Sequence, residues 1–311
     1  MKYFVGTRGS KLALVQTNYV IDKLKEAYPE DSFEAVIIKT TGDVEQKKAL
    51  DQIGSKGIFV KEIEDGLLSG RIHMAVHSMK DMPEEPAEGL VFAKIWSRED
   101  PRDVLVLKSA SSLEELPKGA IIGTGSKRRK YQLLKLRPDL QVVGIRGNID
   151  TRLRKLYEGE AVELSTKDKN LGTLDGIVLA AAGMKRLGRE GEITQYLSVQ
   201  EMIPAPAQGA LALEVSKDNL ELLEKLDALS REETNLCVNV ERDFLRQIGG
   251  NCHLPVGAYC ELDQDKLRLT AMFGNEEGSL LAKTEQTCDR AADQTAMVAQ
   301  AVADIKSQLE I

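Results

Sequence analysis

Short apolar runs that break into glycine-bearing or polar turns, and then into helical spacing, recur along this chain and leave few folds open to it. Residues 3–6 read as a strand, Thr7-Arg8-Gly9-Ser10 as a turn, and the next stretch places Ala13, Val20, Leu24 and Ala27 on one helical face, with Ser10 as the predicted N-cap. Residues 33–39 and 72–76 read as further strands, and 59–68 as a helix. Parallel strands need long crossover connections, usually helices, so a βαβαβ order predicts a parallel or mixed sheet covered by helices. The same grammar returns later. Residues 103–107 and 120–123 read as strands, the second running through Thr124-Gly125-Ser126 into a helix opened by Lys127. Residues 141–143 do the same through Arg146-Gly147-Asn148. A strand at 176–180 follows, and one at 210–215 is expected to return to the first sheet.

The C-terminal part has a different pattern. A helix over 231–248 leads to the turn Gly249-Gly250-Asn251-Cys252, then to three strands and a last helix; Leu267, Leu269, Ala271 and Phe273 alternate as one face of a small antiparallel sheet. A chain of 311 residues exceeds one ordinary core. The polar connection around Trp96-Ser97-Arg98-Glu99-Asp100-Pro101 marks a crossing between domains. The expected division is 1–96 with 204–228 as a first α/β domain, 97–203 as a second, and 229–311 as a smaller α+β domain. Polar residues 161–173 read as a surface insertion. The stretch from Thr40 to Gly57, with glycines at both ends, reads as a lid or a surface loop.

Composition removes several functions. Hydrophobic residues at 42% and charged residues at 29% are those of a globular protein, and a net charge of −7 argues against nucleic acid as partner. No apolar run approaches the roughly 18 residues of a membrane span. The first residues enter a strand at once, without a leader pattern, so a cytoplasmic location is expected. Four cysteines without Cys-x-x-Cys spacing and three histidines make a zinc or histidine-rich metal site a poor reading, and none is predicted. Chemistry then falls to carboxylates, bases or a thiol.

Three constellations can carry it. Strand 72–76 ends in His77, Lys80 and Asp81 before Pro83, which puts charge at a sheet's carboxyl edge, where open α/β sheets bind ligands. Between Ser126 and Lys155 stand ten Lys and Arg against two Asp, inside a chain that is acidic overall. Helix N-termini and arginine forks both favour anions, so Arg128, Arg129, Arg146 and Arg152 suit a ligand with several negative groups, while Lys135, Arg137 and Lys155 read as solvated. Cys252 follows two glycines and precedes Pro255, which places a thiol on a tight loop; Cys237, Cys260 and Cys288 read as packing.

Taken in order, Thr7 to Ser10, His77 to Pro83, Ser126 to Arg129, Arg146-Gly147-Asn148 with Thr151-Arg152, 180–188, Gln208-Gly209-Ala210 and the Cys252 loop resemble the porphobilinogen deaminase (hydroxymethylbilane synthase) family over essentially the whole chain. The resemblance implies two α/β domains like those of periplasmic binding proteins, with mixed sheets and the active site between them, plus a smaller domain with a three-stranded antiparallel sheet. It implies a dipyrromethane cofactor joined by a thioether to Cys252 and a catalytic carboxylate at Asp81. Lys80, Ser126, Arg128, Arg129 and Arg146 then fall among the cofactor ligands, and Arg8, Ser10, Arg152, Lys56 and Arg186 among the groups that bind substrate carboxylates. Asn251 and Ala207 stand where the family often has glycine, and 161–173 is extra.

The implied activity joins four porphobilinogen molecules head to tail, releases ammonia each time and yields hydroxymethylbilane for tetrapyrrole synthesis, with a monomer as the expected state. The residues fit that chemistry. Each pyrrole brings two carboxylates for the arginines, and the electrophile left by departing ammonia needs a carboxylate beside its nitrogen and would also capture a thiolate. A receptor or regulator for a dicarboxylate would use the same basic turns but has no need of Asp81 or Cys252, and a phosphate-handling transferase is a more distant alternative.

Overall fold

The computed structural model describes residues 1–40, 60–164, 171–250 and 254–310. From the N-terminus run β1 (Lys2–Thr7), α1 (Lys11–Ala27), β2 (Ser32–Ile37), α2 (Lys61–Leu68), β3 (Met74–Ser78) and β4 (Leu90–Phe92). Next come β5 (Asp103–Leu107), β6 (Ile121–Gly123), α3 (Lys127–Leu136), β7 (Gln141–Val143), α4 (Ile149–Glu158), β8 (Ala161–Glu163), β9 (Leu171–Thr173), β10 (Gly176–Ala180), α5 (Ala181–Arg186) and β11 (Gln195–Tyr196). The chain ends with β12 (Leu211–Ser216), α6 (Leu220–Asp227), α7 (Glu232–Ile248), β13 (Val256–Asp263), β14 (Lys266–Gly274), β15 (Leu281–Asp289) and α8 (Gln294–Leu309). Two compact units result: Met1–Arg98 with Gly209–Leu236, and Glu99–Gln208 with Cys237–Ile311.

The first unit holds a mixed sheet in the order β2-β1-β3-β12-β4, with β1 parallel to β2 and β3, and β12 antiparallel to β3. The returning strand is where the sequence places it. β3 lies two residues later than the 72–76 expectation and is buried along Met74 to His77, because helices cover both of its faces and leave no solvent side to alternate toward. One face packs Tyr3, Val5, Met74, Val76, Leu213 and Val215 against α1 and α6; the other packs Ala75, Ile72 and Leu90 against Ile63 and Leu67 of α2. Each such fully buried aliphatic side chain contributes roughly 1.5–3 kcal/mol. On α1 the inward stripe is Gln16, Thr17, Val20, Ile21 and Leu24. Ala13 is only half-buried and Ala27 is exposed, so two of the four predicted core positions are displaced by buried polar residues that the periodicity does not flag.

The second unit contains the sheet β11-β5-β10-β6-β7, with β6 parallel to β7 and β10 and with β5 antiparallel to β10. α4 seals one face through Leu153 and Leu156, and α3 seals the other through Leu133. Within the predicted insertion, β8 and β9 pair as a two-stranded antiparallel ribbon of largely exposed residues; 165–170 lie outside the described residues. The same unit carries the antiparallel sheet β13-β14-β15, whose predicted face of Leu267, Leu269, Ala271 and Phe273 is buried. α8 covers the sheet, burying Met297, Val298, Ala301 and Ile305. Among the described residues no helix is long and apolar enough to cross a membrane.

Ala207 is buried with φ at +61°, a left-handed backbone that costs a non-glycine residue roughly 1–2 kcal/mol. Glycine would adopt this backbone without that cost. The conformation is held by the Ala207 amide donating to Glu241 Oε2 at 2.6 Å, while Oε1 of the same buried carboxylate accepts from the Cys260 amide at 2.7 Å. We expect Ala207→Gly to stay within about 1 kcal/mol of the parent, since relieved strain offsets the freer unfolded chain, and Ala207→Val to lose about 1–3 kcal/mol in urea unfolding. A valine variant as stable as the parent would show that this backbone is not held left-handed.

Candidate active site

Because β1 and β3 are parallel neighbours, the residues that follow them emerge at one edge of the first unit's sheet. Ser10 caps α1, its Oγ accepting from the Ala13 amide at 3.3 Å, and half-buried Arg8 precedes it. After Ser78 the chain does not simply run into a loop but turns once as a 3-10 helix, Met79–Asp81. The Met79 amide donates to the Ala210 carbonyl at 3.0 Å, and the Met82 amide closes the turn on the Met79 carbonyl at 3.1 Å. Met79 and Met82 are buried, so they pin both ends of the turn while Lys80 stays half-buried and Asp81 exposed between them. From α1, Gln16 Nε2 donates to Ser78 Oγ at 3.0 Å. Beneath the edge, His77 Nε2 lies 3.1 Å from Glu214 Oε2, both side chains buried.

The second unit repeats this arrangement with β6 and β7, again parallel neighbours. Ser126 caps α3, its Oγ accepting from the Arg129 amide at 3.4 Å. Asn148 caps α4, its Oδ1 accepting from the amide and the hydroxyl of Thr151, both at 2.9 Å. Gly147 has φ at +105°, and a Cβ there would come within 2.6 Å of Thr151 Cγ2, so only glycine permits this turn. Arg152 Nε donates to the Gly147 carbonyl at 2.9 Å, and Arg146 is exposed beside it. Arg186 ends α5 and is half-buried.

Arg128 and Arg129, read from the sequence as groups for a ligand's negative charges, also meet a carboxylate of the protein itself. Both are buried, and both bind Asp103 of β5: Arg128 Nη1 to Oδ2 at 2.7 Å, Arg129 Nη2 to Oδ1 at 2.7 Å. Burial pushes the Asp103 carboxyl up, but the two guanidiniums together pull it well below the ordinary carboxylate range. Burial also pulls Arg128 down, with Asp103 opposing. Neither Asp103 nor Gln208, which donates to the same carboxylate at 2.9 Å, was singled out as a site residue by sequence reasoning. The available signal was a pair of adjacent arginines that needs a buried counter-charge.

Arg137 also departs from the solvated reading. Its guanidinium pairs with Asp139 at 2.8 Å and donates to the carbonyls of Leu113 at 2.6 Å and Leu116 at 3.1 Å, tying the end of α3 to the preceding loop. Lys135 is exposed as expected. Among the other cysteines, Cys237 and Cys260 are buried and Cys288 is half-buried, its thiol pushed up by burial and by Asp289 and Asp293. Cys252 and Lys56 lie outside the described residues. Chemically, the second unit's described donors suit a ligand bearing carboxylates: two capped helix N-termini, exposed Arg146, and a buried arginine pair with one carboxylate between them.

The sequence profile described as "Porphobilinogen deaminase, dipyromethane cofactor binding domain" matches residues 3–224, and "Porphobilinogen deaminase, C-terminal domain" matches residues 235–305. The chain is 58% identical over 288 residues to the porphobilinogen deaminase of Lachnospira eligens, covering 92% of this chain and 94% of the relative. It is 53% identical over 279 residues to that of Clostridioides difficile, covering 89% and 88%. Among solved structures, the periplasmic VFT2 domain of Bordetella pertussis BvgS matches with a TM-score of 0.41 and 15% identity, over 74% of this chain and 86% of that one.

The two cations near the end of α3 should separate in stability. Arg137→Leu strips two carbonyls and Asp139 of their donor and should lower Tm by a few degrees in differential scanning calorimetry, whereas Lys135→Ala should leave Tm nearly unchanged. Equal effects would mean the Arg137 contacts hold nothing in solution.

Proposed function

The chain belongs to the porphobilinogen deaminase family, and on that premise we propose which of its side chains carry the reaction. The activity is the head-to-tail joining of four porphobilinogen molecules, with loss of ammonia at each step, to give hydroxymethylbilane for tetrapyrrole synthesis. Its cofactor is a dipyrromethane. When bound, that group supplies the pyrrole terminus on which the product is built. We assign its covalent attachment to Cys252, supported by the glycine-led turn before it and by the buried or half-buried state of the other three cysteines.

Asp81 is the catalytic residue in this assignment. The observation that carries it is the 3-10 turn that holds an exposed carboxylate between two buried methionines. A carboxylate fixed there accepts a hydrogen bond from a substrate pyrrole N–H, stabilises the positive charge that grows on that nitrogen as ammonia leaves, and takes up a proton at a carboxylate oxygen. Lys80, Ser126, Arg128, Arg129 and Arg146 bind cofactor carboxylates, and Arg8, Ser10, Arg152, Lys56 and Arg186 bind those of the substrate. Ser10 and Ser126 spend one acceptor position on capping and keep their hydroxyl protons to donate. We further infer that residues 229–311 act as the cofactor-bearing domain and that the protein works as a cytoplasmic monomer on porphobilinogen, without nucleic acid or membrane as partner. Its net charge of −7 supports the exclusion of nucleic acid.

Two measurements test these roles. In protein from a porphobilinogen-producing host, peptide mass spectrometry should find two linked pyrrole units on the Cys252 peptide; active protein with unmodified Cys252 refutes the attachment. Asp81→Asn, loaded with cofactor, should lose at least about 10²-fold in single-turnover rate, with Asp81→Glu retaining more because it keeps the charge. A loaded Asn variant with parental rate would leave Asp81 no part in the chemistry.

A further inference from the structure

Charge does not balance around the first residue of β5. Asp103 is fully buried, and its oxygens accept from Arg128 Nη1 at 2.7 Å, from Arg129 Nη2 at 2.7 Å and Nε at 3.1 Å, and from Gln208 Nε2 at 2.9 Å. Arg128 and Arg129 are only 4% and 6% exposed. Among the described residues, two cations against one carboxylate leave an excess positive charge where water screens it poorly, and an uncompensated buried charge is costly. The remaining contacts supply dipoles, not charge: Arg128 Nη1 also donates to the Ile203 carbonyl at 2.6 Å, and Arg129 Nη1 to the Val178 carbonyl at 3.2 Å. Asp103 and Ile203 both use the same nitrogen of Arg128, so neither engages its Nε–Nη2 edge. Among the described residues, the charges that act most on Arg128 are those of Asp103 and Arg129.

Gln208 completes the lock. Its Nε2 bridges Asp103 to the Pro101 carbonyl at 2.7 Å, so the carboxylate is fixed from the side opposite in kind to the arginines, by a neutral donor that adds no charge. A glutamine at this point leaves the excess at one positive charge.

We propose that Asp103, locked by Gln208, is a positioning residue of the cofactor site: it aligns both guanidiniums, takes up one of their two charges, and leaves the pair set to receive one further carboxylate. This rests on the assignment of Arg128 and Arg129 to cofactor carboxylates. It gives Gln208, otherwise only a member of the Gln208-Gly209-Ala210 motif, a role through Asp103 rather than through contact with the ligand.

The test uses the full chain prepared without cofactor and incubated with porphobilinogen, with loading followed by intact mass and folding by circular dichroism below the unfolding transition. Asp103→Asn should load at least about tenfold more slowly while folded, as expected when a buried charge pair loses its partner. Gln208→Leu, which leaves the ion pairs in place, should slow loading less but measurably, and it decides the matter if Asp103→Asn does not fold. Leu140→Ala, a core truncation beneath α3, should lower Tm yet load at the parental rate. Arg128→Leu separates the two layers of inference: if it loads normally, the assignment of the arginines to the cofactor fails. If it loads slowly while folded Asp103→Asn and Gln208→Leu both load like the parent, the positioning role of Asp103 alone is overturned.

Discussion

Parallel pairing is the constraint on which the rest of the site depends. Strands laid side by side in one direction must release their chain at one edge, so β1 with β3, and β6 with β7, deliver their following turns together. Each turn then enters a helix whose first amides need acceptors, and Ser10, Ser126 and Asn148 supply them. Polar side chains are thereby placed at fixed positions before any ligand is considered. β3 is the exception: it leads to a single 3-10 turn instead of a long helix, and this short turn keeps Lys80 and Asp81 close to the sheet edge.

Buried carboxylates do much of the remaining fastening, and each joins segments far apart in sequence. Glu241 of α7 ties the Ala207 turn to β13 through two amides. Asp103 joins β5 to α3 and to Gln208. Glu214 of β12 faces His77 of β3, one strand across, and burial together with Glu214 raises the carboxyl of nearby Glu64 on α2. A buried carboxylate left without donors costs several kcal/mol, so these connections make local geometry all-or-none rather than adjustable.

Element type and order were legible in the sequence because apolar runs, glycine turns and caps are local signals: the α/β alternation, the Ser10 cap and the alternating face of β14 all follow from neighbours within a few residues. What was not legible depended on partners elsewhere. The helix α3 reads Lys-Arg-Arg-Lys-Tyr-Gln-Leu-Leu-Lys-Leu, and its buried positions are Arg128, Arg129, Gln132 and Leu133. Only one of those four is apolar, so hydrophobic periodicity gives no phase for the helix. The phase is set by Asp103, by Ile203, whose backbone both donates to and accepts from the Gln132 side chain, and by Arg137 at the far end. α1 is a milder case: Gln16 and Thr17 are buried, while Ala13 and Ala27, which the periodicity puts on the inner face, are not.

The opposite face of α3 shows why this helix can afford an inward pair of cations. Lys127 and Tyr131 lie one turn apart and both reach the β14–β15 turn: Lys127 Nζ pairs with Glu276 at 2.7 Å, and the Tyr131 hydroxyl donates to the Glu276 carbonyl at 2.8 Å. Gly278 packs so closely that a Cβ would come within 2.3 Å of the Tyr131 ring, at a φ of +73° that already favours glycine. The helix is therefore gripped from both sides within one compact unit, by the β5 carboxylate on one face and by the C-terminal sheet on the other. Held on both faces, α3 keeps Arg128 and Arg129 turned inward on Asp103, and among the described residues that single carboxylate faces two cations, a balance that suits an anion coming to them.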